Sequence, residues 1–142
     1  MAEAVFKDLI KKEQLSHLIS VDSAGTGSWH IGERPHKGTL SILKEHGISS
    51  EGLVGRLLTP EDIKENDYII AMDRSNIKNI EKLAPEGYSH KIHLLLDFAT
   101  DCPEKDVPDP YYTGNFEQVF NLISDGTTAL LNYIKQKEKL SV

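Results

Sequence analysis

The order of apolar and polar positions along the chain predicts an α/β protein. Apolar residues recur at helical spacing within about 2–14, 36–45, 75–83 and 116–134. Apolar runs at 18–22, 68–72 and 92–96 are typical of strands in a covered sheet. A further short helix is predicted to begin at Thr59-Pro60, since threonine accepts a backbone hydrogen bond there and proline suits the first helical position. Helices alternating with strands predict a parallel sheet with helices on both faces.

One feature of this pattern is irregular. The first helix is predicted to begin at residue 2, and no strand stands before it in the sequence. In doubly wound sheets, ligands bind where the end of a strand meets the next helix. The first junction of that kind is therefore missing from the pattern.

Composition narrows the class of protein. The 142 residues, 15.9 kDa, 39% hydrophobic and 27% charged, are ordinary for one globular domain. The net charge of −6 disfavours nucleic acid as a partner. No apolar run approaches the ~18–20 residues of a membrane helix, and the start does not resemble a signal peptide. With Cys102 as its one cysteine, the chain is predicted to be cytoplasmic and reduced, with no membrane partner.

The segment Val-Pro-Asp-Pro-Tyr-Tyr at 107–112 is the strongest candidate for chemistry. Prolines fix the backbone on both sides of Asp109, and two tyrosines follow. A carboxyl group held near apolar rings tends to stay protonated and can act as a general acid. The alternative is a rigid loop that precedes the last helix, and residue chemistry alone favours that alternative.

The glycine-rich stretch at 25–32 is a weaker candidate. It begins like a dinucleotide-binding loop, but His30 stands where the third glycine belongs and no helix follows directly. Trp29, the one tryptophan, could line a ligand pocket or simply pack.

Metal ligation and thiol chemistry are not expected elsewhere. His90, His93 and Asp97 have a helical ligand spacing, but the stretch reads as a strand, which places His90 on the other face. Acidic residues surround Cys102, so we expect an inert thiol.

Four segments together resemble the low-molecular-weight protein tyrosine phosphatases: 1–6, 21–32, 67–76 and 107–112. They follow the family's order and spacing over essentially the whole chain, so 1–142 is identified as a single domain of that family. The resemblance implies a three-layer αβα, flavodoxin-like parallel sheet. It also implies hydrolysis of phosphotyrosine through a phosphocysteine intermediate, without a metal or other cofactor.

The resemblance also assigns roles to individual residues. Asp109 would be the general acid that protonates the leaving tyrosine oxygen. Trp29, Tyr111 and Tyr112 would form aromatic walls around the substrate ring, and Ser23 would steady the phosphate-binding loop. The implied partners are phosphotyrosine-containing proteins or aryl phosphates, and phosphate-like anions.

The sequence departs from the family at its beginning. The family opens with a central strand and Cys-x5-Arg-Ser-Pro, followed by the helix that corresponds to Ala2 onward, and this opening is absent here. Cys102 does not replace it, because Pro108 stands where the arginine would be needed. We therefore expect a chain truncated at its N-terminus, with Met1 an internal methionine taken for the start or a deliberate truncation. Such a chain should be inactive, and unstable, rearranged or associated with another chain, because unpaired ladder groups are costly to bury.

Three alternatives remain beside this interpretation. A non-catalytic binding module would keep the aromatic walls and the acid loop without turnover. A protein arginine phosphatase shares the fold, although Trp29 with Tyr111 and Tyr112 favours an aryl phosphate. An arsenate reductase is disfavoured, because that chemistry needs additional cysteines.

Overall fold

Helices surround a short parallel sheet in the computed structural model, which describes residues 1–25, 37–99, 102–108 and 114–138. The helices are α1 (Ala2–Lys12), α2 (Lys37–Glu45), α3 (Pro60–Glu65), α4 (Arg74–Leu83) and α5 (Phe116–Lys137). The strands are β1 (Ile69–Ala71) and β2 (Ile92–Leu94). Short 3-10 turns, Ser89–Lys91 and Leu95–Asp97, stand directly before and after β2.

The helix start predicted at Thr59-Pro60 is confirmed at α3, and the helix predicted over 75–83 is present as α4. The Thr59 side chain accepts a hydrogen bond from the Asp62 N–H, and the Asp62 carboxylate accepts one from the Thr59 N–H. Asp73 and Asn76 make the same reciprocal pair at the start of α4. Each pair satisfies backbone donors that a helix start otherwise leaves unpartnered.

The sheet is parallel and has apolar contacts on both faces. Ile69 pairs with Ile92 and Ala71 with Leu94. Ile69 and Ala71 pack with Ile63 of α3 and Ile80 of α4, whereas Ile70 packs against the core formed with α1 and α5. The α/β class and the helices on both faces are therefore as expected.

Helix α5 forms the centre of the larger core, against α1, α2 and the 95–97 turn. Gly126 lies against Leu95, where an added Cβ would come within 2.7 Å of the Leu95 Cγ. This close approach explains why residue 126 is a glycine.

The strand predicted at 18–22 was wrong. Leu18 and Ile19 donate backbone hydrogen bonds to the Leu15 carbonyl in a turn, and no described residue forms a ladder with 20–24. Gly25 alone makes a parallel bridge, to Leu57. An apolar run becomes a strand only where a neighbouring strand accepts its hydrogen bonds, and within the described ranges this run has no such neighbour.

The strand at 92–96 was predicted too long. The chain leaves the sheet after Leu94 and enters the 3-10 turn, which buries Leu95 and Leu96 against the core. A buried apolar run cannot by itself distinguish strand from turn.

Candidate functional site

A cavity of about 1030 Å³ lies where the irregularity in the sequence pattern pointed. Its walls come from the start of α1, from 18–25, from β1 and from the inner face of α5. Ser23 lines this cavity, and so do Val107 and Pro108, which begin the predicted 107–112 segment. The structure therefore brings the proposed loop support and the beginning of the proposed acid loop to one site.

Ser23 is held by a buried carboxylate. Its hydroxyl donates to Glu3 Oε1 at 2.5 Å, and Glu3 is only 7% exposed. The other Glu3 oxygen accepts from Lys7 Nζ at 2.5 Å. Burial lowers the pKa of the Met1 amino group, and the nearby Glu3 charge opposes that shift. The part of the site that should support an anion loop thus presents a carboxylate.

The beginning of the acid loop is anchored at the end of β1. The Val107 N–H donates to the Met72 carbonyl at 2.8 Å, and Val107 is buried. Asp106 accepts from the Arg74 N–H at 2.9 Å and from its guanidinium at 3.0 Å, and these bonds lower the pKa of Asp106. The chain that leads into residue 109 is therefore tied both to the strand end and to the first turn of α4.

Four of the predicted site residues lie outside the described residues: Trp29, Asp109, Tyr111 and Tyr112. Their roles remain predictions.

Cys102 lies in a setting that disfavours a thiolate. Its thiol donates to the Glu104 carboxylate at 3.2 Å. Partial burial and the Glu104 hydrogen bond raise the pKa of the Cys102 thiol. Since the thiolate is the nucleophilic form, this cysteine is unsuited to attack phosphorus, as its acidic neighbours in the sequence suggested.

Arg56 is the residue of this region that sequence reasoning missed. Its Nε donates to Asp22 Oδ2 at 3.0 Å, and its Nη1 donates to Asp62 Oδ2 at 2.9 Å. The Arg56 guanidinium holds the pKa of Asp62 below its usual range. It thereby ties the chain beside Ser23 to the start of α3. Asp22 and Arg56 are 34 residues apart, so no local pattern signals this contact.

The three candidate metal ligands do not form a metal centre in the described ranges. His90 belongs to one 3-10 turn, His93 to β2 and Asp97 to the other turn. The His93 ring lies against Tyr68 and Phe98, and burial lowers its pKa. Across the described part of the chain, no group of three or more His, Cys, Asp or Glu side chains is placed to hold a metal ion. The described helices include none with the length and apolar character to span a membrane.

The sequence profile of the family described as "Low molecular weight phosphotyrosine protein phosphatase" matches residues 1–140. The chain belongs to this family. The low molecular weight protein-tyrosine-phosphatase YfkJ of Bacillus subtilis is 47% identical over 142 residues, which cover 99% of this chain and 90% of YfkJ. The low molecular weight protein-tyrosine-phosphatase PtpA of Staphylococcus aureus is 41% identical over 140 residues, 99% of this chain and 88% of PtpA.

Solved structures of this phosphatase family match the fold closely. The crystal structure of B. subtilis YfkJ has a TM-score of 0.93 and 49% identity, covering 98% of this chain and 87% of that one. A protein tyrosine phosphatase from Entamoeba histolytica with Hepes in its active site has a TM-score of 0.89 and 33% identity, and the match covers 98% of this chain and 89% of that one. A Drosophila arginine phosphatase also matches, with a TM-score of 0.86 and 32% identity, and the match covers 94% of this chain and 88% of that one.

Proposed function

We propose that the site built around this cavity serves the hydrolysis of phosphotyrosine, with Asp109 as general acid and Trp29, Tyr111 and Tyr112 around the substrate ring. Membership of the phosphotyrosine phosphatase family supports the reaction class. The observation that supports the assignment to this site is the hydrogen bond from the Val107 N–H to the Met72 carbonyl, because Val107 and Pro108, directly before Asp109, line the cavity. The two rings that follow favour an aryl phosphate.

The proposed chemistry has two steps. A cysteine thiolate attacks phosphorus and the bond to the tyrosine oxygen breaks, while Asp109 gives that oxygen a proton. Water then cleaves the phosphocysteine and releases inorganic phosphate. Backbone amides and an arginine would hold the phosphoryl oxygens, the arginine by two parallel hydrogen bonds.

We further propose that the 142-residue chain does not carry out this reaction alone. Its sequence contains no Cys-x5-Arg, and the arginines are Arg34, Arg56 and Arg74. Cys102 is bonded to Glu104 and its pKa is raised, which argues against it as a substitute nucleophile. Loss of a nucleophile costs several orders of magnitude in rate. A single domain over 1–142 and a cytosolic location remain part of the same proposal.

Turnover of p-nitrophenyl phosphate by the purified chain, with and without vanadate, tests the proposed inactivity. We expect no vanadate-sensitive turnover, and no change in Cys102→Ser. Vanadate-sensitive turnover that disappears in Cys102→Ser would overturn it. Saturable binding of a phosphotyrosine peptide without turnover would instead support the binding-module alternative.

The reaction class has its own test. A chain extended before Met1 by an apolar strand and Cys-x5-Arg-Ser-Pro should hydrolyse phosphotyrosine. In that background Asp109→Asn should lower kcat by about 10²–10⁴, because the leaving oxygen loses its proton donor. An unchanged kcat would remove Asp109 from the proposal.

Phosphoarginine is the second candidate substrate, and the match to an arginine phosphatase structure is the observation that favours it. The extended chain, offered phosphotyrosine and phosphoarginine peptides of one sequence, discriminates between the two. We expect the higher kcat/KM on phosphotyrosine.

A further inference from the structure

We propose that His93 is a proton-sensitive switch for the end of α5: a neutral ring leaves the Lys137 ammonium over two tyrosine rings, and a protonated ring repels it from them. The switch uses no residue of the proposed reaction, so it holds whether or not the proposed function does.

Four rings form an aromatic cluster between the sheet and the end of α5: Tyr68, His93, Phe98 and Tyr133. The centroid of the His93 ring lies 6.5 Å from that of Tyr68 and 5.6 Å from that of Phe98. Phe98 lies 5.1 Å from Tyr133, and Tyr133 meets Tyr68 edge-on at 6.4 Å. Since each ring contacts two others, His93 belongs to the same packed group as both tyrosines.

Lys137 and Glu138 hold the end of α5 on this aromatic cluster. The Lys137 Nζ lies 5.9 Å from the centroid of the Tyr68 ring and 5.6 Å from that of Tyr133. It also donates to the Tyr133 hydroxyl at 3.3 Å, and the Tyr68 hydroxyl donates to Glu138 Oε1 at 3.1 Å. An ammonium over a tyrosine ring is attracted by the negative face of the ring, so these contacts fasten the helix end.

His93 is the member of this group that titrates near neutral pH. Of the residue types in the aromatic cluster and at the end of α5, only histidine ordinarily changes charge between pH 5 and pH 8. Burial lowers the pKa of the half-buried His93 ring most, and the Lys137 charge lowers it further. Protonation therefore places a second positive charge in a half-buried position near the Lys137 ammonium.

The other charges around His93 offset this repulsion only in part. Asp97 raises the pKa of His93, but its carboxylate also pairs with Lys105 Nζ at 3.4 Å. His90 lowers that pKa slightly and belongs to the 3-10 turn before β2. The net effect of burial and charge is a pKa below the ordinary value of histidine.

The direction of the pH dependence follows from that lowered pKa. A form in which the ring is exposed has a His93 pKa of about 6.5 and binds the proton more tightly than the packed form. The contacts of Lys137 with the rings are therefore fully stable above that pH. They weaken as the pH falls from about 6.5 through the lower pKa of the packed form.

A proton NMR titration of the full chain between about pH 8 and pH 5 tests the switch. It follows the Cε1 proton of His93 and the nuclear Overhauser effects between the Lys137 ε-methylene and the rings of Tyr68 and Tyr133. The His93 midpoint should lie below that of histidine in the urea-unfolded chain. The Overhauser effects should weaken at least about twofold with the same midpoint, and in His93→Gln they should not change with pH.

Charge variants give shifts of opposite sign. Lys137→Gln should raise the His93 midpoint because it removes the repelling charge, and Asp97→Asn should lower it. Lys135→Gln is the matched control, since it removes the same charge from the same helix. Lys135 is bonded to Glu13 of α1 at 2.8 Å and does not act on His93, so its loss should leave the midpoint unchanged.

Four results would overturn the proposal. They are a His93 midpoint at or above the unfolded value, a midpoint that Lys137→Gln does not raise, Overhauser effects that persist once His93 is protonated, and an equal loss of them in His93→Gln. If His93→Gln does not fold, the wild-type titration and Lys137→Gln at the exposed helix end still decide. None of these measurements involves turnover, so their outcome is separate from that of the proposed function.

Discussion

Residues 58–94 and residues 1–25 both contain apolar runs, but only the runs in 58–94 form strands in the described part of the chain. In the first region both helices begin with a reciprocal cap, β1 and β2 are paired, and Ile63 and Ile80 are buried against the strands. In the second region the apolar run at 18–22 forms no ladder with any residue that the structure describes. The difference shows that strand formation in this chain depends on the neighbour and not on the run itself.

The same contrast separates the two parts of the candidate site. The acid-loop side is anchored by the Val107 bond to Met72 and by Arg74 on Asp106. The Ser23 side is held by Glu3, a carboxylate, and by Arg56 across to Asp62. On one side, the bonds hold the chain directly before Asp109; on the other, Ser23 is bonded to a buried carboxylate.

The largest expected difference between the two regions is in the stability lost when one isoleucine of each is truncated to alanine. Ile63→Ala should lower the free energy of unfolding by about 2–5 kcal/mol, because Ile63 is 0% exposed and its loss leaves a void. Ile19→Ala should cost less than about 1 kcal/mol, because that side chain is half-buried and already borders the cavity. Urea unfolding of both variants measures the difference, and equal losses would break the comparison.

A smaller effect is expected at the helix caps. Asp73→Ala should destabilise by about 1 kcal/mol, because it removes the acceptor for the Asn76 N–H at the start of α4. Asp73→Asn is the matched control and should retain most of the stability, since asparagine also caps. Thermal unfolding separates the two, and a cost for Asn as large as for Ala would contradict the capping role.

The smallest expected effect concerns Arg56, which bonds to Asp22 in one region and to Asp62 in the other. Arg56 lowers the pKa of Asp62 below its unfolded value of about 3.9. The resulting stabilisation is complete above that pH and is lost as the pH falls through the lower, folded pKa. Asp62 is partly exposed, so we expect about 1 kcal/mol or less.

Urea unfolding between about pH 5 and pH 2 measures how much the Arg56–Asp62 pair contributes to stability. The stability of wild type should fall more steeply with acid than that of Asp62→Asn. Parallel curves for the two proteins would show that the Arg56 pair does not contribute.

The sequence predicted the elements whose signals are local. Thr59-Pro60 marks a helix start through a side chain that bonds three residues away, and this prediction is confirmed, as is the helix predicted over 75–83. The run at 18–22 and the end of β2 were wrong, because ladder pairing and the turn at Leu95 depend on the rest of the fold.

For the site, the sequence pointed to Ser23 and to the 107–112 segment; Ser23, Val107 and Pro108 line one cavity, and the roles of the residues stay predictions. It did not predict that the Ser23 hydroxyl would donate a hydrogen bond to Glu3, or that Arg56 would bond to both Asp22 and Asp62. The Ser23–Glu3 and Arg56–Asp22 bonds join residues 20 and 34 positions apart, and charged residues at such separations carry no periodic signal.

Trapping of a covalent phosphoenzyme tests most directly the proposal that the 142-residue chain does not form a phosphocysteine by itself. The purified chain is mixed with a phosphotyrosine peptide, quenched in acid within milliseconds to minutes, and its intact mass is measured. The account predicts an unchanged mass at every time. A mass increase of one phosphoryl group, located on Cys102 and absent from Cys102→Ser, would contradict it.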